Sequence, residues 1–234
     1  MAFTKIKRIN FVNVSGFLVY NTDAVILVDT GLSKTTGKFT EAIGELQRSP
    51  EDISLIVLTH THFDHAGGAS RIKELTKAPL VVHHSEATFL RKGRTPVPDG
   101  TRWKGKVLAA LSKTLGRRLT RYPAVEPDLL VDEELSLADY GIPGRVVHTP
   151  GHTAGSLSVL LESGEAIVGD NVLGISSKNH YPPFANDREG VLKSWETYIN
   201  SGVNTLLPAH GGRVKIETLI RELPAVRKRY GIQF

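Results

Sequence analysis

The run His60-Thr61-His62-Phe63-Asp64-His65 follows the apolar stretch Leu55-Ile56-Val57-Leu58 and leads into Gly67-Gly68. Imidazole nitrogens and carboxylate oxygens are suitable ligands for zinc and similar divalent ions. A regular strand would send alternate side chains to opposite faces, whereas a loop can aim close neighbours at two adjacent ions. The pattern therefore predicts a buried strand ending in a ligand-bearing loop, with the glycines letting the chain turn into the next helix. Because the sequence contains no cysteine, any metal site must be built from histidine and carboxylate, and disulfides and thiol nucleophiles are excluded.

Three further candidates stand in the same context, each just after an apolar run: His152 in Thr149-Pro150-Gly151-His152, Asp170 after Ala166-Ile167-Val168-Gly169, and His210 after Leu206-Leu207-Pro208-Ala209. Ligands at strand ends suit an α/β chain whose site collects on loops at one sheet edge. Strands are predicted at 17–20, 24–28, 55–58, 80–82, 146–147, 157–161, 166–168 and 205–207, and helices at 40–48, 67–76, 188–200 and 216–228. Asn21-Thr22-Asp23 reads as a hairpin turn, so the sheet is not purely parallel. With 234 residues, 40% of them hydrophobic, the chain suits one domain over 1–234. His83 and His148 read as ordinary core or strand histidines, while His84, beside the sheet edge, is a candidate support for a ligand.

These motifs closely resemble the metallo-β-lactamase superfamily, from about Asn13 to Gly212. The resemblance implies an α/β, four-layer αβ/βα sandwich with mixed sheets, outer helices and a dinuclear site at the sheet edge. It implies that His60, His62 and His152 hold one divalent metal, that Asp64, His65 and His210 hold a second, and that Asp170 bridges them. Zinc is the first expectation for both ions, with iron or manganese as alternatives. Asp29, in Asp29-Thr30-Gly31, would support the site from behind its ligands.

Two such ions would activate a shared water for attack on a small ester, thioester or lactone, with Asp64 orienting that water and carrying its proton. Within the superfamily the chain looks closest to the glyoxalase-II-like branch. Flavodiiron relatives carry glutamate where this chain has His62, and true β-lactamases do not generally keep the bridging aspartate. Two other readings stay open: a persulfide-type dioxygenase using one iron, and a phosphodiesterase or nuclease acting on an anionic substrate.

The segment 91–127 reads as an insertion between two halves, carrying an amphipathic basic helix at about 102–119. The formal charge of +5 suits an anionic small molecule. Arg117 and Arg118 in that helix, together with His180 and Tyr181 after Asp170, are candidate pocket residues. The helix reads as a solvated face, a lid over the metal site that attracts an anionic substrate, a homodimer contact, or a membrane-surface or nucleic-acid contact. No apolar run is long enough to span a bilayer, and no secretion signal is evident at the N-terminus; the expected location is cytoplasmic.

Overall fold

A computed structural model describes residues 3–101 and 120–232. The basic helix expected at 102–119, with Arg117 and Arg118, lies outside the described residues.

The first half runs β1 (Lys5–Asn10), β2 (Ser15–Tyr20), β3 (Val25–Val28), α1 (Gly37–Gly44), β4 (Ile53–Val57), α2 (Phe63–Ala66), α3 (Ala69–Thr76), β5 (Leu80–His83), α4 (His84–Lys92) and β6 (Leu129–Val131). Its six-stranded sheet follows the chain order β1 to β6. The β1/β2 and β2/β3 pairs are antiparallel, and the β3/β4, β4/β5 and β5/β6 pairs are parallel. The second half runs β7 (Glu134–Ser136), β8 (Gly144–His148), β9 (Leu157–Leu161), β10 (Glu165–Gly169), α5 (Arg188–Asn200), β11 (Thr205–Pro208), β12 (Val214–Lys215) and α6 (Ile216–Tyr230). Its sheet, ordered β12-β11-β10-β9-β8-β7, is antiparallel except where β10 meets β11.

Strand alternation separates the buried residues into layers. On the first sheet, Leu18, Leu27, Ile56 and Leu80 pack with Phe39, Ile43, Ile72 and Leu90 of the helices. Their neighbours Val19, Val28, Val57 and Val81 point the other way and meet Val146, Val159, Ile167 and Leu207 of the second sheet. The far face of that sheet, with Leu160, Ala166, Val168 and Leu206, is covered by Val191, Trp195 and Tyr198 of α5 and Leu219 and Val226 of α6. The order is helix, sheet, sheet, helix. Strands buried on both sides read as continuous apolar runs, which is why β3 and β4 carry almost no polar residue.

The predicted strands all form, and Asn21 makes the expected hairpin turn by accepting the backbone N–H groups of Asp23 and Ala24. The helix predicted at 40–48 instead begins at Gly37 and ends at Gly44, with Gln47 in a left-handed conformation and Pro50 following. The helix predicted over 67–76 forms as α3 from Ala69, with Gly67-Gly68 separating it from the short α2. Helix α4 lacks a strong apolar stripe in the sequence; it is capped by the His83 side chain, which accepts from Ser85 N–H, and ends at left-handed Gly93.

Strands β3, β4 and β5 run the same way, as do β8, β10 and β11, so the loops leaving them gather at one edge of each sheet. Backbone bonds join these edges: Leu157 N–H donates to the Thr59 carbonyl at 2.7 Å and Ser15 N–H to the Ala209 carbonyl at 2.8 Å. Among the described residues, no helix is long and apolar enough to cross a membrane.

Trp195 is fully buried against the second sheet and donates its indole N–H to the Asn171 carbonyl at 2.8 Å, beside Asp170. Replacing it by alanine should cost about 3–5 kcal/mol of stability, read as a lower denaturant midpoint.

Candidate metal centre

The loop after β4 changes conformation midway. His62 is extended, and α2 begins at Phe63. His60 and His62 therefore project from extended chain, whereas Asp64 and His65 are neighbours on the first helical turn and face elsewhere. From the second sheet, His152 enters on the loop after β8, Asp170 directly after β10 and His210 after β11. Gly169 makes the approach of β10 possible: it takes φ +52°, and a Cβ there would lie 2.8 Å from Thr59 Oγ1.

Two clusters result. The candidate ligand atoms of His60, His62 and His152 lie within 4.8 Å of one another, as do those of Asp64, His65 and His210. His62 Nδ1 is 3.0 Å from His152 Nε2, and His210 Nε2 is 3.4 Å from Asp64 Oδ2. Asp170 stands between the clusters. Its Oδ2 is 3.5 Å from His152 Nε2, while its Oδ1 is 3.4 Å from His65 Nε2 and 3.5 Å from His210 Nε2.

Each histidine has its outer nitrogen held by an acceptor. His62 Nε2 faces the Pro96 carbonyl at 3.2 Å, His152 Nδ1 the Phe184 carbonyl at 2.9 Å, and His210 Nδ1 the Asn13 carbonyl at 2.6 Å. A carbonyl only accepts, so these outer nitrogens carry the proton. His65 Nδ1 lies 2.9 Å from Asp29 Oδ2. Thr59 Oγ1 donates to the same carboxylate at 2.8 Å, leaving its lone pairs to accept from His60 Nδ1 at 3.1 Å. The inner nitrogens are thereby turned toward the two clusters.

Two of these tethers come from strained backbone. Asp29 has φ +61°, and the Val12–Asn13 pair has φ +67° and +62°. Left-handed conformation is unfavourable for a β-branched residue such as Val12, at a cost of order 1–3 kcal/mol per strained residue. The strain aims Asp29 at His65 and the Asn13 carbonyl at His210.

The donors fit divalent ions. His60 Nε2, His65 Nε2 and Asp170 Oδ1 are buried without a hydrogen-bond partner, an arrangement that is costly unless a ligand shares those atoms. The clusters also differ in charge. Burial holds His60 well below its ordinary pKa, lowers His62, and brings His152 to about 4, so this cluster presents neutral nitrogens. Burial also opposes charge on His65, but Asp170, then Asp29 and Asp64, outweigh it and raise that histidine well above the usual range. For His210, burial is outweighed by Asp170 and by the bond to Asp64, raising it to about 9. Burial opposes ionisation of the partner carboxylates too, yet His210 and His65 hold Asp170 well below the carboxylate range, and His65 and His210 hold Asp64 low.

Above the clusters lies a cavity of about 310 Å³. Five of the candidate ligands, His62, Asp64, His152, Asp170 and His210, form its polar part, with Thr95 beside them; the other lining residues are Phe63, Val97, Leu173, Ile175, the Pro182–Pro183 pair and Phe184. Neither His180 nor Tyr181 belongs to this lining. His180 bonds Glu222 of α6 at 2.7 Å, and Tyr181 is buried beside Trp195 and Tyr230, donating to the Arg188 carbonyl at 3.1 Å. His84 is exposed and paired with Asp132.

Sequence reasoning passed over other residues that shape the site. Asn171 Oδ1 accepts from His152 N–H at 3.0 Å, fixing that loop. Buried Glu86 on α4 accepts from Thr61 N–H at 3.1 Å and from the Thr61 hydroxyl, holding the turn between His60 and His62. Only the single-residue insertion of Thr61 between the histidines signals a need for such an anchor, and nothing in the sequence identifies its partner.

Asp29→Asn should weaken metal binding about 10–100-fold, measured by competitive titration with a chromophoric chelator. Metal binding should also release protons from His65 and His210. Their protonated forms stabilise the metal-free fold at and below the ordinary histidine range, and for His210 that contribution is lost as pH rises through about 9. Metal affinity should therefore increase from pH 6 toward pH 9, with calorimetry in buffers of different ionisation enthalpy reporting the proton release.

Comparison with known proteins agrees with this architecture. The profile of the metallo-beta-lactamase superfamily matches residues 9–210. A probable metallo-hydrolase of Methanocaldococcus jannaschii is 32% identical over 148 residues, covering 63% of this chain and 62% of that protein. An acyl-coenzyme A thioesterase of Homo sapiens is 27% identical over 217 residues, covering 88% of this chain and 75% of the human protein. Among solved structures, a subclass B3 metallo-beta-lactamase of Bradyrhizobium japonicum superposes with a TM-score of 0.68 at 20% identity, covering 99% of this chain and 91% of the other. Such proteins bind divalent metals, and the two sheets with their flanking helices form the same αβ/βα sandwich. The chain belongs to the metallo-beta-lactamase superfamily.

Proposed function

We propose that this metal-dependent hydrolase holds two divalent ions, zinc first among the candidates, and cleaves a small thioester, ester or lactone. The observation that carries this reading is the convergence of seven donors on two clusters, with Asp170 directing one oxygen to each, beneath an open cavity. His60, His62 and His152 would hold one ion, Asp64, His65 and His210 the other, and Asp170 both. When bound, the ions supply Lewis acidity, lowering the pKa of a shared water and polarising the substrate carbonyl.

The chain's own residues account for the rest. The outer tethers keep the imidazoles from turning away, so that little reorganisation accompanies substrate binding. Asp64 lines the cavity and is held ionised by His65 and His210; its carboxylate orients the attacking water and accepts its proton. Leu173, Val97 and Phe184 exclude bulk water from the reacting bond.

Thioester chemistry is favoured by the likeness to the human thioesterase over most of this chain, which supports a reading close to the glyoxalase-II-like branch. A phosphodiester substrate has less support: among the described residues, no lysine or arginine lines the cavity.

Metal analysis should find about two ions per chain, and the loaded protein should hydrolyse simple acyl thioesters. One iron per chain with oxygen uptake on a persulfide would overturn the proposal in favour of the dioxygenase. His62→Ala and Asp170→Ala should reduce turnover to background while circular dichroism stays native. Asp64→Asn should lower kcat by about 10²–10⁴-fold.

A further inference from the structure

The chemistry at the floor of the cavity leaves open which acyl group it accepts, and the walls bear on this. Apart from the candidate ligands and Thr95, every described lining residue is apolar. Ile175 is 71% exposed and Val12 is 56% exposed, two of the few large apolar side chains that the described residues leave in water. Both adjoin the same ligand. Gly174, next to Ile175, donates its N–H to the His210 carbonyl at 2.8 Å, and Asn13, next to Val12, accepts from His210 Nδ1 at 2.6 Å. Val12 is also held in a left-handed conformation that opposes its β-branched side chain. The apolar wall thus ends in an exposed side chain, Ile175, next to a residue bonded to His210.

We infer that the cavity selects a neutral, apolar acyl group, with Leu173, Ile175, Val97 and Phe184 covering the acyl chain. This rests on the thioester reading above and specifies its substrate class. Covering a methylene removes apolar area from water and should increase kcat/KM about fourfold per added carbon until the cavity is full. A carboxylate at the end of the acyl chain would lose water against Leu173 and Ile175 with no cation among the described lining residues to replace it. Substrates ending in a carboxylate should therefore be poor even when their length is right. The cavity volume of about 310 Å³ lies at the small end of ligand pockets, which suits a short or medium chain.

The test uses the metal-loaded full chain and thioesters of one common thiol: butanoyl, hexanoyl and octanoyl, against succinyl and adipoyl. The inference predicts that kcat/KM rises along the neutral series and that each dicarboxylic substrate is at least tenfold slower than its neutral partner of equal length. Ile175→Lys lies at the exposed rim and should fold. It should narrow that gap by tenfold or more, by raising kcat/KM for the dicarboxylic series and lowering it for the neutral one. Calorimetry on the metal-free protein with the corresponding non-hydrolysable thioethers should show the same order of binding. Hydrolysis with no preference, or a preference for the dicarboxylic series, would overturn the inference and leave the thioester reading standing. Failure to hydrolyse any member would overturn both.

Discussion

A buried carboxylate with three partners underlies the site. Asp29 accepts from Thr59 N–H, from the Thr59 hydroxyl and from His65 Nδ1, joining the ends of β3 and β4 to the ligand-bearing loop. An ionised carboxylate in such a position is tolerable only when donors surround it. Those donors are the residue that opens the loop and the histidine on the helical turn that follows. The positive φ of Asp29 is offset by the hydrogen bonds its carboxylate accepts there. Thr59 also receives the outer nitrogen of His60, so one buried group helps orient a histidine in each cluster.

The electrostatic asymmetry follows from what surrounds each imidazole. His60, His62 and His152 are crowded with other imidazoles and buried, conditions that favour the neutral ring. His65 and His210 face Asp64 and Asp170, which favour the protonated ring. Protons in the second cluster supply positive charge that a bound cation would replace. The first cluster needs no such compensation. A site assembled this way binds metal and releases protons together, because the carboxylates require a cation of one kind or the other.

The cavity separates reaction chemistry from recognition. The polar part consists of candidate ligands and Thr95, so few polar groups remain to recognise a charged or hydrogen-bonding acyl chain. On the proposed reading, recognition falls to apolar surface, which distinguishes substrates by length and polarity more than by detailed shape. His180 and Tyr181 contribute differently. They secure the loop after Asp170 to α6 and α5, and that loop brings Leu173, Ile175 and Phe184 to the cavity.

The ligand run, its position after an apolar strand and the later strand-end residues were all legible in the sequence, because alternation and sharp changes from apolar to polar are local properties. The principal strands and the helices α5 and α6 were legible for the same reason. Helix α4, the short helix α2 and the short edge strands were not: strand partners depend on residues distant in the chain, and a histidine is a weak N-cap signal. The tertiary structure alone brought Glu86 to Thr61, Asn171 to His152 and the Asn13 carbonyl to His210. It also moved Tyr181 from a candidate pocket position into the packing beneath α5. What the sequence by itself determined was the set of candidate donors and the superfamily whose chemistry they suit, since residue identity is a property of single positions. Which nitrogen each histidine presents, which charge each cluster carries and how apolar the cavity is were decided only by the fold, because these depend on neighbours from both sheets meeting at one edge.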